Sequence, residues 1–275
     1  MKQDSTPTEG VVAARSLTAP LLFVGLLVIL VCTYSQYVIP GLNFVSAVLL
    51  VYGIPVVVTG LIWGRTIIKK ALNQTLNAVK FGLGYFGAFT VLGLLVGIFI
   101  VSLLSVFSPG AVNLLSKPNP VLQVSPEVAW LMVGVSFLVS GPAEEYLFRG
   151  FVFGGLLSVF GNRRWLSLAF VSSIFFAGVH LYYAVVYGVA SMVQFADLIA
   201  FGMAMAATYY VSGGNLVVPA LIHGAYDATG FIGVATSGFI GDELRGIMIM
   251  VGVFVAIAIF VDRRTKNEPS ATIAS

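Results

Sequence analysis

Long, uninterrupted apolar segments are the feature that most constrains how this chain can fold. They recur along 275 residues, of which 59% are hydrophobic and only 9% are charged, against about 25% charged residues in ordinary soluble domains. A bilayer requires such segments, in runs of roughly 20 apolar residues for each helical crossing. The segments are continuously apolar rather than alternating, which favours helices over barrel strands. The sequence therefore predicts an all-α fold, a polytopic transmembrane helical bundle.

About eight spans are predicted. They cover about Ala19–Ile39, Leu42–Trp63, Lys80–Phe107, Val128–Phe160, Trp165–Val186, Ala190–Val211, Leu216–Thr236 and Leu244–Val261. Pro142 divides the longest of them, because a proline removes a backbone donor and kinks a helix. We interpret that segment as one crossing with a bent continuation, with two half-helices as the alternative.

The polar segments between the spans divide the chain into five regions. These are a cytoplasmic N-terminal tail (1–18), three N-terminal transmembrane helices (19–107), a non-cytoplasmic loop (108–127), a transmembrane core (128–236), and a last transmembrane helix with a cytoplasmic tail (237–275). With the N-terminus in the cytoplasm, 11 of the 14 Lys and Arg residues fall in cytoplasmic segments and two in outside segments. This bias follows the positive-inside rule. It predicts that both termini are cytoplasmic. We expect a multi-pass protein, located in the plasma membrane.

Seven charged or histidine residues fall inside the predicted spans more than five residues from either end, including both histidines of the protein. They are Glu144, Glu145, Arg149, His180, Asp197, His223 and Asp227. Ionisable groups at bilayer depth are costly and are functional candidates by default. Their concentration in a few spans favours a water-containing active site over isolated contacts between helices.

The acidic pair in the fourth span predicts a division of roles. Glu145 and Arg149 are four residues apart, so they share a helix face and can form an ion pair. Glu144 points about 100° away from Glu145, which leaves it free to face a polar cavity. The alternative is a buried charge network of all three residues that only fixes helix packing.

Two further pairs repeat the four-residue spacing. His223 and Asp227 share a face of the seventh span, where the carboxylate could orient the imidazole or both could face a cavity. Phe176 and His180 place an aromatic ring beside the second imidazole. Peptide hydrolysis needs a base, which a buried carboxylate can supply, and a donor aimed at the developing oxyanion, which a histidine can supply.

The three pairs together resemble the ordered motifs of the CAAX-protease and bacteriocin-processing family, also called the ABI family. The motifs read Glu144-Glu145-x-x-x-Arg149, Phe176-x-x-x-His180 and His223-x-x-x-Asp227, the last preceded by a similar lead-in from Gly213 to Leu221. The resemblance covers about residues 125–235. It implies a CAAX-protease-like intramembrane glutamic endopeptidase whose site opens toward the cytoplasmic half of the bilayer, and it makes residues 128–236 the catalytic core.

The resemblance also implies roles for the site residues. Glu144 with His180 would activate the water, and His223 and Asp227 would stabilise the oxyanion. The family often has asparagine where this chain has Asp227, and an ionised aspartate only accepts hydrogen bonds. Asp227 is therefore either protonated or orients His223. The supporting residues would be Glu145, Arg149 and Phe176.

The expected partners are a peptide or membrane-protein substrate and the lipid bilayer. We expect no cofactor, no metal and no nucleic acid, and the sequence does not indicate the oligomeric state. A zinc-dependent protease that uses Glu144, His180 and His223 as ligands is an alternative. The others are an ion-coupled transporter with a site at Asp197, and a non-catalytic scaffold or immunity protein.

Overall fold

The structure is a computed structural model that describes residues 9–267. Those residues are helical apart from the connecting turns, and they contain no strand. We number the main helices α1 (Glu9–Ser35), α2 (Phe44–Lys70), α3 (Thr75–Phe107), α4 (Pro126–Phe160), α5 (Trp165–Gly178), α6 (Tyr182–Val211), α7 (Val217–Ala235) and α8 (Phe239–Asn267). Short helical turns occupy Pro109–Val112, Asn113–Ser116, Pro120–Leu122 and Asn162–Arg164.

Seven of these helices, all except α5, are long and apolar enough to cross a membrane within the described range. The predicted helical bundle is thus confirmed, with one difference in the spans. The predicted span Trp165–Val186 is interrupted, because its helix ends after 14 residues at Gly178 and a turn follows. In that turn the amides of His180 and Leu181 bond carbonyls only three residues back. The side on which each terminus lies stays a prediction.

The two predicted tails lie partly outside the described residues, which leave out 1–8 and 268–275. Within the described range, α1 begins at Glu9, whereas its membrane-spanning part begins at Thr18. No glycine or proline interrupts residues 11–18, so the helix extends beyond its membrane-spanning part.

Helix α4 is one continuous element, as the first interpretation of its length held. Two stretches of it have wide π-helical turns, Ser136–Ser140 and Glu145–Phe153. Pro142 lies in the short α-helical stretch between them. Wide turns of this kind re-aim side chains and often occur at functional sites. They place the acidic pair at the junction of two helical geometries.

Glycines allow α4 and α7 to approach at the height of the acidic pair. A Cβ on Gly141 would lie 2.8 Å from the carbonyl oxygen of Ala220, and a Cβ on Gly224 would lie 2.7 Å from that of Ser136. Both distances are too short for any side chain against backbone. Small residues at helix contacts permit close backbone packing in membranes, and here the contact brings His223 beside α4.

The outer surface of the bundle is apolar and its interior holds charges. Leu61, Leu76 and Phe254 are 84%, 87% and 65% exposed, whereas Glu145 and Arg149 are 0% and 1% exposed. A soluble protein shows the opposite arrangement, because charged groups remain in water. The protein is therefore an integral multi-pass membrane protein whose exposed apolar side chains face lipid.

Candidate active site

The first part of the site is a buried ion pair within α4. Arg149 donates from Nη1 to Oε1 of Glu145 over 2.9 Å, and both side chains are at most 1% exposed. The guanidinium also lies 4.5 Å from the centre of the Phe176 ring on α5. The pair predicted from the four-residue spacing is present, and it is deeply enclosed.

His223 on α7 lies between the two glutamates of α4. Its Nδ1 is 2.7 Å from Oε1 of Glu145, and its Nε2 is 3.6 Å from Oε2 of Glu144. The same Nε2 is 3.5 Å from Oδ2 of Asp227 one turn along α7. A carboxylate oxygen accepts hydrogen bonds and does not donate, so each ring nitrogen is placed to donate. Glu145 thus holds the imidazole at Nδ1, while Asp227 approaches it only from the Nε2 side.

His180 lies in the turn after α5. Its Nδ1 is 2.8 Å from the carbonyl oxygen of Phe176. Because a carbonyl only accepts, Nδ1 carries the hydrogen, and Nε2 of the neutral ring is an acceptor. Among the described residues, Nε2 has no hydrogen-bond partner, and no hydrogen bond or ion pair joins His180 directly to Glu144.

The ring of Phe176 connects the three pairs. Its centre lies 4.9 Å from that of His180 and 5.9 Å from that of His223, and Arg149 stacks on it. The ring is 1% exposed. One aromatic side chain on α5 therefore sets the spacing between the groups contributed by α4, α5 and α7.

The start of α7 is fixed by Asn215, in the segment that leads to His223. The Asn215 Oδ1 accepts from the amide of Val218 over 3.0 Å, which caps the helix. Its amide nitrogen donates to the carbonyl oxygen of Asn73 between α2 and α3 over 2.8 Å. Gly213 and Gly214 precede it with φ of 66° and 104°, a backbone conformation that favours glycine. These contacts determine the position of α7 and hence of His223.

Comparison with known families matches residues 126–229 to the Rce1-like model, described as type II CAAX prenyl endopeptidase Rce1-like. This part of the chain is similar to the Rce1-like family. No curated protein and no solved structure matches the chain. The Rce1-like segment begins at the first residue of α4 and ends within α7, so it includes every residue of the three motifs.

One contact of the site comes from outside the Rce1-like segment. The hydroxyl of Tyr52 on α2 donates to Oε1 of Glu144 over 2.8 Å. A residue 92 positions earlier thus occupies one oxygen of the glutamate that was predicted to face a polar cavity. Glu144 is 8% exposed, and its Oε2 is buried without a hydrogen bond from the described residues. No spacing in the sequence indicates Tyr52.

A second residue that the motifs did not indicate is Phe201 on α6. The centre of its ring is 4.9 Å from that of His223 and 5.4 Å from that of Tyr226. Tyr226 in turn donates to Oδ2 of Asp197 over 3.4 Å. Asp197 thus lies behind two aromatic rings, and the structure does not bring it into contact with the acidic pair.

The zinc alternative needs three ligands around one point. Within residues 9–267, no group of three or more His, Cys, Asp or Glu side chains is arranged to hold a metal ion. Of the three proposed ligands, His223 lies near Glu144, whereas His180 bonds its own helix end.

Proposed function

We propose that this Rce1-like protein is an intramembrane endopeptidase in which Glu144 and His180 activate a water molecule and His223 stabilises the oxyanion. The family supports the coarser statement, that the protein is a CAAX-protease-like intramembrane peptidase. The glutamate and histidine roles are inferred from the arrangement of the side chains.

The observation that carries the proposal is the position of His223 between carboxylates. Its Nδ1 faces Glu145 at 2.7 Å, which leaves Nε2 directed to the side of Glu144 and Asp227. A ring held in this way can donate from Nε2 to a negative charge that develops in the transition state. Preorganised donors of this kind contribute about 10²–10³-fold to acyl-transfer rates.

Two acceptors are available for the protons of the water. Oε2 of Glu144 is buried and accepts no hydrogen bond from the described residues, and Nε2 of His180 is the acceptor nitrogen of the neutral ring. A buried acceptor without a donor is costly, and a water molecule would supply the donor. A base in contact with a water molecule is what peptide hydrolysis requires.

The proposed reaction is direct hydrolysis without a covalent enzyme intermediate. The water gives a proton to Glu144 while its oxygen bonds to the carbonyl carbon of the substrate, and the former carbonyl oxygen accepts a hydrogen bond from Nε2 of His223. Collapse of this tetrahedral species breaks the C–N bond, and the proton passes to the leaving nitrogen. The products are a carboxylate and an amine.

Asp227 has a secondary role in this proposal. It is 3.5 Å from Nε2 of His223 and its side chain is 34% exposed, against 10% for Glu144. It therefore lies at the open side of the imidazole. There it can hold His223 toward the substrate, while Glu145 orients the opposite nitrogen.

The matched family is described as a CAAX prenyl endopeptidase, and we propose prenylated CAAX peptides as the substrate class of this chain. The test is cleavage of a farnesylated CAAX peptide with a quenched fluorophore, in parallel with a library of unprenylated peptides. We compare wild type with Glu144→Gln. The matched control is Glu243→Gln, which removes an exposed carboxylate on α8.

The expected result is cleavage by wild type and by the control, and a loss of at least about 10³-fold in kcat for Glu144→Gln with an unchanged unfolding temperature. Cleavage by Glu144→Gln at the rate of wild type would contradict the mechanism. Activity that disappears with a chelator and returns with Zn²⁺ would favour the zinc alternative instead.

A further inference from the structure

Tyr52 is the one side chain outside the Rce1-like segment that hydrogen-bonds the proposed base within the described residues. It lies in a π-helical stretch of α2, Leu49–Gly53. Neither the three motifs nor the family match gives it a role. Its hydroxyl is nevertheless 2.8 Å from Oε1 of Glu144, a distance typical of an O–H···O hydrogen bond.

The two oxygens of Glu144 have different environments. Oε1 accepts from Tyr52, while Oε2 is buried, accepts no hydrogen bond from the described residues, and lies 3.6 Å from Nε2 of His223. A glutamate side chain has three rotatable bonds, so an unheld carboxylate would exchange its oxygens and leave the productive geometry. A donor on one oxygen fixes which oxygen faces His223.

We propose that Tyr52 is a positioning residue of the peptidase reaction: it holds Oε1 of Glu144 so that Oε2 is presented to the water beside His223. This inference rests on the proposed function, in which Glu144 is the base. It assigns part of the active site to α2, and hence to the N-terminal region that the family match does not cover.

A second contact joins an N-terminal helix to the residue before the turn that carries His180. The hydroxyl of Tyr34 on α1 donates to the carbonyl oxygen of Gly178, where α5 ends and the turn that carries His180 begins. Tyr52 thus contacts Glu144 on α4, and Tyr34 contacts the C-terminal end of α5, just before His180. The N-terminal helices therefore contribute to the geometry of the site.

The test measures kcat and KM separately for Tyr52→Phe, which removes only the hydroxyl. The matched control is Tyr210→Phe. The ring of Tyr210 stacks on that of Trp165, with 4.7 Å between the ring centres, and Tyr210 does not contact the site. A hydrogen bond to a charged group corresponds to roughly 10- to 100-fold in a rate or equilibrium constant. We expect kcat of Tyr52→Phe to fall by about that factor, with KM within about twofold of wild type and no change in the control.

Glu144→Gln is measured in the same assay to separate the two ideas. If Glu144→Gln is inactive while Tyr52→Phe has the kcat of wild type, the role of Tyr52 is overturned and the proposed function stands. If Glu144→Gln is fully active, the proposed function fails, and a lower kcat in Tyr52→Phe then has another cause.

A measurement without substrate tests the contact itself. A double-mutant cycle of Tyr52→Phe and Glu144→Ala on the unfolding equilibrium isolates their coupling. We expect the change in the unfolding equilibrium constant of the double variant to differ by about tenfold from the product of the two single changes. Independent effects within about twofold would show that the hydroxyl does not hold the carboxylate, whatever the activity of the variants.

Discussion

Among the described residues, acidic side chains lie within the membrane helices at two places that differ in how their charges are compensated. The cluster that we propose to be catalytic, called the catalytic cluster below, consists of Glu144, Glu145, Arg149 and His223, from α4 and α7. Asp197 on α6 is the other place. In the catalytic cluster an arginine and an imidazole lie against the same oxygen of Glu145, and an oxygen of each glutamate is buried without a partner among the described residues.

Asp197 has a simpler environment. It accepts one long hydrogen bond of 3.4 Å, from Tyr226. It borders a cavity of about 520 Å³ between α3 and α6, which Gln194 and Tyr226 also line. The Oε1 of Gln194 is buried there without a partner, and no cation or imidazole contacts the carboxylate directly, both statements applying to the described residues. We therefore expect a site where two helices supply charged partners to the acids, and a contact between helices at Asp197.

The largest effect is expected at the imidazole that the two glutamates share. Replacing His223 by Leu removes the donor at Nε2, so cleavage should fall by about 10³-fold in kcat while the protein remains folded. The measurement is peptide cleavage beside thermal unfolding. A variant that retains more than a tenth of the wild-type kcat would show that the oxyanion is stabilised elsewhere.

The ion pair should dominate the stability of the catalytic cluster. Arg149→Met leaves the carboxylate of Glu145 buried without its cation, which typically costs about 3–5 kcal/mol. We expect a lower free energy of unfolding by that amount in denaturant titrations. Arg163→Met, at an exposed position after α4, serves as control and should change the free energy by less than about 0.5 kcal/mol. Equal effects of the two substitutions would contradict a structural role for the pair.

The glycine contact that brings α7 to α4 predicts a moderate effect. In Gly224→Ala the new Cβ would lie 2.7 Å from the carbonyl oxygen of Ser136, so the helices must separate. Overpacking of this kind costs about 1–3 kcal/mol, and cleavage should fall because His223 moves away from Glu144. Gly134→Ala is the control, since no atom lies within 4 Å of its Cβ position. Unchanged unfolding and cleavage in Gly224→Ala would show that α7 tolerates the shift.

The parts of this fold and site that depend on local pattern were predictable. Apolar segments give the spans because lipid requires them, and the pair Glu145 and Arg149 follows from helical spacing. The ordered motifs also indicated that His223 lies near the acidic pair, and the structure brings it to both glutamates; the joint action of His180 with Glu144 stays a prediction. The interruption at Gly178 was not predicted, since its flanks are as apolar as a continuous span.

The contacts that distinguish one glutamate from the other were not predictable. Glu145 meets His223 across 78 residues, and Glu144 meets Tyr52 across 92. Such contacts leave no periodic signal in a single sequence, because they depend on how helices pack rather than on the spacing along one helix. The four-residue spacing predicted that Glu145 lies beside Arg149. It could not show that Oε1 of Glu145, which accepts from Arg149, also faces the imidazole of His223.

The smallest effect is expected at Asp197, and it tests the comparison most directly. Asp197→Asn keeps the shape of the side chain and its hydrogen bond with Tyr226. Hydrogen bonds between membrane helices contribute about 0.6 kcal/mol on average, so the free energy of unfolding should change by less than about 1 kcal/mol. Cleavage should remain within about threefold of wild type, because Tyr226 and Phe201 separate Asp197 from His223.

If Asp197→Asn instead abolishes cleavage, or abolishes a cation flux measured in proteoliposomes, Asp197 belongs to a functional pathway. Its single weak partner would then reflect a site for a mobile cation rather than a contact between helices.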